Sequence, residues 1–256
     1  MTTAAQDLLA LTEEQTAQYA ELGFIRIPGF SDVATCEAML ERVKQVARNQ
    51  AAGDTSVGWL MKENNLEGKA GRPEDLVSKI FKLHRDTVFQ DWIRSERVTD
   101  IAADIVGPKV DCFLSQFIFK NPGAWGQPWH QDSHYFPFAP ARPIVGLWLA
   151  VTEATLENGC LHVVPGSHHE PVHEHVDDRR PGANAGYREI VDHDMSSAVP
   201  VLMNPGDLLV FDSHLMHRST DNVSDGIRAA MVFHCAATGT VDLNNSPVND
   251  FMTVRP

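Results

Sequence analysis

The chain has 256 residues, 43% of them hydrophobic, and carries 34 acidic against 21 basic side chains for a net charge of -13. That balance argues against a nucleic-acid or anionic-membrane surface, and no apolar run approaches the roughly 20 residues a bilayer span needs. The four cysteines, Cys36, Cys112, Cys160 and Cys235, are scattered without a CxxC pair, so neither a disulfide framework nor a zinc knuckle is expected.

In chain order, residues 1–11 lack a basic stretch followed by an apolar core, so no signal peptide is expected and the protein reads as soluble and cytoplasmic. Thr12-Glu13-Glu14-Gln15 is a capping box that opens a helix ending near Gly23. Residues 24–27 alternate as a short strand, and Ser31 or Asp32 caps a second helix that runs to about Gln50. Across residues 52–76, Gly53, Gly58, Gly68, Gly71 and Pro73 break every period. This segment reads as a long surface loop, and such loops are often lids. Helical periodicity returns from about 86 to 105 and stops at Gly107-Pro108.

The texture then turns to strand at 110–119, 143–152, 160–164, 199–203, 208–211 and 228–237. Asn158-Gly159 before the third of these resembles a hairpin signal. Residues 166–198 form a second irregular insertion, whose glycines and Tyr187 suit it to close over a site. Short strands without βαβ alternation predict a mostly β sandwich or barrel preceded by helices.

The chemistry gathers in Trp129-His130-Gln131-Asp132. Side chains two apart on an extended strand share a face, so His130 and Asp132 lie together. A second imidazole from a distant strand would complete a 2-His-1-carboxylate triad, which suits Fe(II) and leaves three coordination positions open. His217 is the candidate, with His214 a rival three residues upstream. Blander readings stand beside these: a hydrogen-bonded His–Asp pair, Arg228 in an ordinary salt bridge, and Trp148 as plain core. His168, His169, His173 and His175 read as a solvated loop rather than a second metal site.

Several separated pieces now combine. They are Ser115-Gln116-Phe117-Ile118-Phe119-Lys120, the His130–Asp132 motif, Gly146-Leu147-Trp148-Leu149-Ala150, Asn158-Gly159-Cys160-Leu161, Pro165-Gly166-Ser167-His168, Gly206-Asp207, His217-Arg218-Ser219, and Asn222 with Arg228. In order and spacing, the chain from about Ile80 onward resembles the phytanoyl-CoA dioxygenase family of Fe(II)- and 2-oxoglutarate-dependent oxygenases. The resemblance implies one domain over 1–256, with a helical part (1–108) and a double-stranded β-helix, or cupin-like jelly roll (109–240). It implies iron on His130, Asp132 and His217. It also implies that 2-oxoglutarate is held by Arg228 and Ser219, walled by Trp148, and contacted by Gln116, Lys79 and Gln131. Arginine suits the distal carboxylate because its planar fork makes two charge-assisted hydrogen bonds.

The implied activity consumes O2 and 2-oxoglutarate, releases succinate and CO2, and hydroxylates a C–H bond. Desaturation, epoxidation or ring formation are alternative outcomes, and a non-catalytic metal-binding module is a remote one. The carboxylate at Asp132 argues for oxygenation, because halogenating relatives carry a small residue there. His134-Tyr135-Phe136-Pro137-Phe138 is expected to line the substrate side. The expected substrate is a small, partly apolar molecule, with no nucleic-acid or membrane partner.

Overall fold

Thr12 caps the first helix, α1 (Glu13–Leu22), as its spacing predicts: its hydroxyl accepts from the Gln15 N–H and the Gln15 side chain accepts from the Thr12 N–H. The computed structural model describes residues 10–69 and 71–256, so the expectation for residues 1–11 falls almost wholly outside the described residues. Next come β1 (Phe24–Ile27), α2 (Val33–Ala51) capped by Asp32, β2 (Trp59–Lys62), β3 (Val77–Phe81), α3 (Thr87–Ile93), α4 (Glu96–Val106) and β4 (Val110–Lys120). The remaining strands are β5 (Phe138–Ala139), β6 (Ile144–Ala150), β7 (Leu161–Val163), β8 (His175–Asp177), β9 (Arg188–Ile190) and β10 (Val199–Val201). They are followed by β11 (Leu208–Asp212), β12 (His217–Ser219), β13 (Arg228–Ala237), β14 (Val241–Asp242) and β15 (Met252–Arg255). No helix among the described residues is long and apolar enough to cross a membrane.

A large antiparallel sheet runs β1-β11-β6-β13-β4-β3-β2, with β15 added on β4, and a small sheet runs β10-β7-β12. One core cluster lies between the two sheets, where Trp148, Phe211, Ala230 and Val232 meet Leu161, Val163 and Val201. A larger cluster joins the outer face of the large sheet to the helices through Phe117, Leu147, Val210, Met231 and Phe233. Period two decides which face each residue takes. On β13, Met231 and Phe233 face the helices, while Arg228, Ala230, Val232 and His234 face inward. On β4, Phe117 and Phe119 face out, while Gln116, Ile118 and Lys120 face in. A fully buried phenylalanine such as Phe233 contributes about 1.5–3 kcal/mol through apolar transfer. The outward set therefore anchors the sheet, and the inward set is left for chemistry.

The structure corrects the sequence reading at several elements. The single helix expected over 86–105 is two, because Ser95 interrupts it and its hydroxyl donates to the Trp92 carbonyl. The 52–76 loop contains a strand, β2, that pairs with β3 at the edge of the large sheet. The Asn158-Gly159 turn does not make a hairpin between β6 and β7. It carries the chain into the small sheet, where β7 pairs with β10 and β12. The insertion 166–198 holds a hairpin of its own, β8 with β9. The boundary at residue 108 is crossed, since β1 pairs with β11 and β3 with β4. Likewise β15, beyond residue 240, returns to β4.

Candidate active site

His130 and His217 stand opposite one another in a two-residue antiparallel bridge, each N–H donating to the other's carbonyl at 3.0 Å. That bridge brings residues 87 positions apart in sequence to a ring-centroid separation of 4.1 Å. The backbone stays extended through Gln131, so Asp132 returns to the same face before a short 3₁₀ turn begins. Asp132 Oδ1 lies 3.5 Å from His130 Nε2 and 3.8 Å from His217 Nε2. The three ligand atoms lie within 4.8 Å of one another, and all three residues are buried.

Tautomers follow from the backbone. His130 Nδ1 is 2.8 Å from the Pro128 carbonyl and His217 Nδ1 is 2.9 Å from the Leu215 carbonyl. Each Nδ1–H donates there and leaves an Nε2 lone pair facing Asp132, the arrangement a metal-ligating histidine requires. The second Asp132 oxygen, Oδ2, is held at 2.7 Å by His234 Nε2. Burial alone would raise the Asp132 carboxyl, but His217, His234 and His130 hold it well below the usual carboxylate range. Burial, reinforced by His130, pushes His217 down to about 4, so its imidazole is neutral near pH 7. The set is one carboxylate and two imidazole Nε2 atoms facing one point, which fits a divalent first-row metal.

The triad opens into a cavity of about 310 Å³. On one side the cavity is a field of donors. Arg228 is 1% exposed, and its Nη2 donates to the Gly159 carbonyl at 3.1 Å while its Nε and Nη1 have no partner among the described residues. Trp148 Nε1 is likewise buried without a partner, and its ring lies 5.5 Å from the guanidinium. Ser219, Gln116 and Lys79 line the same cavity. Lys79 Nζ donates to Gln127 Oε1 at 2.8 Å, and burial pushes its ammonium down to about 8 against the pull of Asp132 and Glu63. Among the described residues no carboxylate pairs with Arg228, Lys79 or Lys120. Asp132 and Glu63 attract the lysines from a distance, but a buried guanidinium without an ion-pair partner is costly, so Arg228 is suited to take an anion. Part of the lining is an apolar and aromatic wall formed by Trp59, Met61, Phe81, Leu114, Phe136 and Val248.

Most residues expected at the site converge here, and one does not. Gln131 points to the other side of its strand, as alternation requires. Its Nε2 donates to the Pro171 and His214 carbonyls and its Oε1 accepts from the His173 N–H. It braces the metal strand from behind and does not line the cavity. The same brace turns His214 away, with Nδ1 toward the Glu170 carbonyl. The solvated-loop reading of the four histidines is corrected in part. His168 is buried, and His175 stacks on His134 while its Nε2 accepts from the Gln131 N–H. His173 and His193 share one Glu170 oxygen, at 2.9 and 3.0 Å, a closed cluster behind the site.

The sequence reading assigned no site role to His234, Lys120, Glu63 or Asn184, and named Tyr187 only as part of the closing insertion. The first two were within reach, since stepping by two from Arg228 or Gln116 arrives at them. The others come from irregular segments with no period to follow. Asn184 donates to Glu63 Oε1 and Ser78 Oγ and accepts from the Asn64 N–H, joining the two insertions. Tyr187, bonded to Ser78, lines the cavity beside Lys79.

Comparison with known proteins adds three findings. The family model described as phytanoyl-CoA dioxygenase matches residues 19–230. Among relatives, a probable phytanoyl-CoA dioxygenase of Caenorhabditis elegans is 30% identical over 238 residues, covering 88% of this chain and 75% of that protein. The peroxisomal phytanoyl-CoA dioxygenase of Bos taurus is 29% identical, covering 88% and 68%. In three dimensions, EctD from S. alaskensis with 2-oxoglutarate and 5-hydroxyectoine superimposes with a TM-score of 0.70 at 20% identity, over 91% of this chain and 79% of that one. At such identity the likeness speaks for the jelly-roll fold. A family model spanning most of the chain speaks for ancestry, and this chain belongs to the phytanoyl-CoA dioxygenase family.

Proposed function

We propose that the protein is an Fe(II)- and 2-oxoglutarate-dependent oxygenase that hydroxylates a C–H bond of a small, partly apolar molecule. The observation that carries this reading is the pairing of two features in one cavity. A 2-His-1-carboxylate face stands at one end, and the partnerless donors of Arg228 and Trp148 stand beside it. Bound together, such a metal and cosubstrate would activate O2, one oxygen atom going to 2-oxoglutarate, which would leave as succinate and CO2, and the other to the substrate. His130, Asp132 and His217 would hold the metal, and His234 would keep Asp132 in its rotamer. The Arg228 fork and Ser219 would take the distal carboxylate, and Trp148 would wall it. Family membership supports the cofactor set, as do similar folds crystallised with iron or 2-oxoglutarate.

The substrate reading rests on the apolar wall, whose rings are suited to packing on a hydrocarbon or aromatic body. A phosphate-rich coenzyme A carrier fits less well with a net charge of -13. The test is succinate release from 2-oxoglutarate by the Fe(II)-loaded protein, screened against a metabolite extract. Release that depends on His130, Asp132 and His217 supports the reading. A protein that binds neither metal nor 2-oxoglutarate overturns it.

A further inference from the structure

Ser219 Oγ receives two donors, the Lys120 ammonium at 2.9 Å and the Gln127 N–H at 3.1 Å. A serine oxygen has two lone pairs and one hydrogen. With both lone pairs engaged, the hydroxyl hydrogen has one direction left, and no acceptor among the described residues takes it. Ser219 lines the cavity alongside Arg228. Lys120 has spent its own hydrogens: besides Ser219 it donates to the Thr220 carbonyl at 2.8 Å and the Trp125 carbonyl at 3.2 Å. An ammonium has three donors, so none remains for a ligand.

Two further observations show that this arrangement is built. Lys120 and Arg228 are direct register partners on β4 and β13, and both are buried. Like charges placed opposite each other oppose folding, and burial together with Arg228 pushes the Lys120 ammonium well below its ordinary value despite the pull of Glu63 and Asp221. Gly159 leaves the room. A Cβ there would meet the Lys120 stem and overlap the Thr220 carbonyl, while the Gly159 carbonyl itself accepts from Arg228.

We propose that Lys120 is a positioning residue for the cosubstrate: by donating to Ser219 Oγ it makes that hydroxyl an obligate donor toward the ligand's distal carboxylate. The inference rests on the functional reading above and deepens it.

The experiment is calorimetric binding to the full chain loaded with Mn(II) in place of iron, so that no turnover is needed. The ligands are 2-oxoglutarate and oxalate, which chelates the metal but has no distal carboxylate. Lys120→Met weakens 2-oxoglutarate by about tenfold or more, the scale of a lost charge-assisted hydrogen bond, and leaves oxalate unchanged. Ser219→Ala weakens it less. The double variant binds within about twofold of Lys120→Met alone, because the serine has already lost its orientation. Lys120→Arg, which keeps the charge but not three tetrahedral donors, falls between. It carries the test together with Ser219→Ala should Lys120→Met fail to fold.

Unchanged 2-oxoglutarate affinity in Lys120→Met, an equal loss for oxalate, or additive losses in the double variant each overturn the proposal. A wild-type protein that binds oxalate but not 2-oxoglutarate overturns the functional reading itself.

Discussion

At the scale of single residues, the site depends on side chains that hold other side chains. Asp132 has one oxygen facing the two Nε2 atoms and the other fixed by His234. Removing the fixing group frees the carboxylate to rotate, a change that in metal sites costs about 10- to 100-fold in affinity. His234→Leu is therefore expected to weaken Fe(II) or Mn(II) binding by that order, with His234→Gln, which still donates, closer to wild type. A competitive metal titration reads the difference, and unchanged affinity in His234→Leu would show that something else sets the Asp132 rotamer.

Lys79 offers a test through pH. Its folded value of about 8 lies below the ordinary 10.5, so the unfolded chain binds more protons between those limits. The cost of burying the ammonium is thus fully present below about pH 8, and stability recovers as pH rises toward 10.5. Lys79→Met should flatten that part of the stability curve in denaturant titrations of the metal-free protein. The same slope in both proteins would assign the recovery to another group.

At the scale of elements, the site is held at crossings between segments that are distant in sequence. Gly126 touches β12 so closely that a Cβ would overlap the Ser219 carbonyl oxygen. Gly126→Ala must push backbone against backbone, so β12 moves and carries His217 and Ser219 with it. The expected cost is about 1–3 kcal/mol, the usual range for overpacking, together with weakened metal binding. Thermal unfolding and a metal titration check both, and a variant that keeps its affinity would show that β12 tolerates the shift. The two insertions are expected to act as one cover, because Asn184 bonds Glu63, the Asn64 N–H and Ser78 at once. Asn184→Ala should raise hydrogen exchange in residues 60–66 and 182–187 together. A rise in only one segment would mean that they move independently.

At the scale of the whole molecule, function and stability pull apart at Arg228. A buried guanidinium with two partnerless nitrogens is a cost the ligand-free protein carries, and burial pushes it down to about 10. Arg228→Met should therefore stabilise the ligand-free protein, by roughly 1 kcal/mol or more, while abolishing the stabilisation that 2-oxoglutarate adds to wild type. Melting curves with and without 2-oxoglutarate test this. A less stable ligand-free variant would show that the arginine is held by the fold rather than by what it binds.

What the sequence determined by itself was set by local rules. Period two placed His130 and Asp132 on one face, caps and turn residues bounded α1 and α2, and the order of motifs pointed to the family and, through that resemblance, to Arg228. Those signals are local because alternation, capping and turn chemistry act over a few residues. Only the tertiary structure decided which imidazole meets Asp132, since the His130–His217 bridge is a register between distant segments. It also decided that Gln131 braces rather than binds, that Asn158-Gly159 leads into the other sheet, and that β2 hides in a glycine-rich stretch. The same holds for Lys120 and Asn184. Their roles come from which donors and acceptors burial leaves without a local partner, and that is settled by the packing of the whole chain.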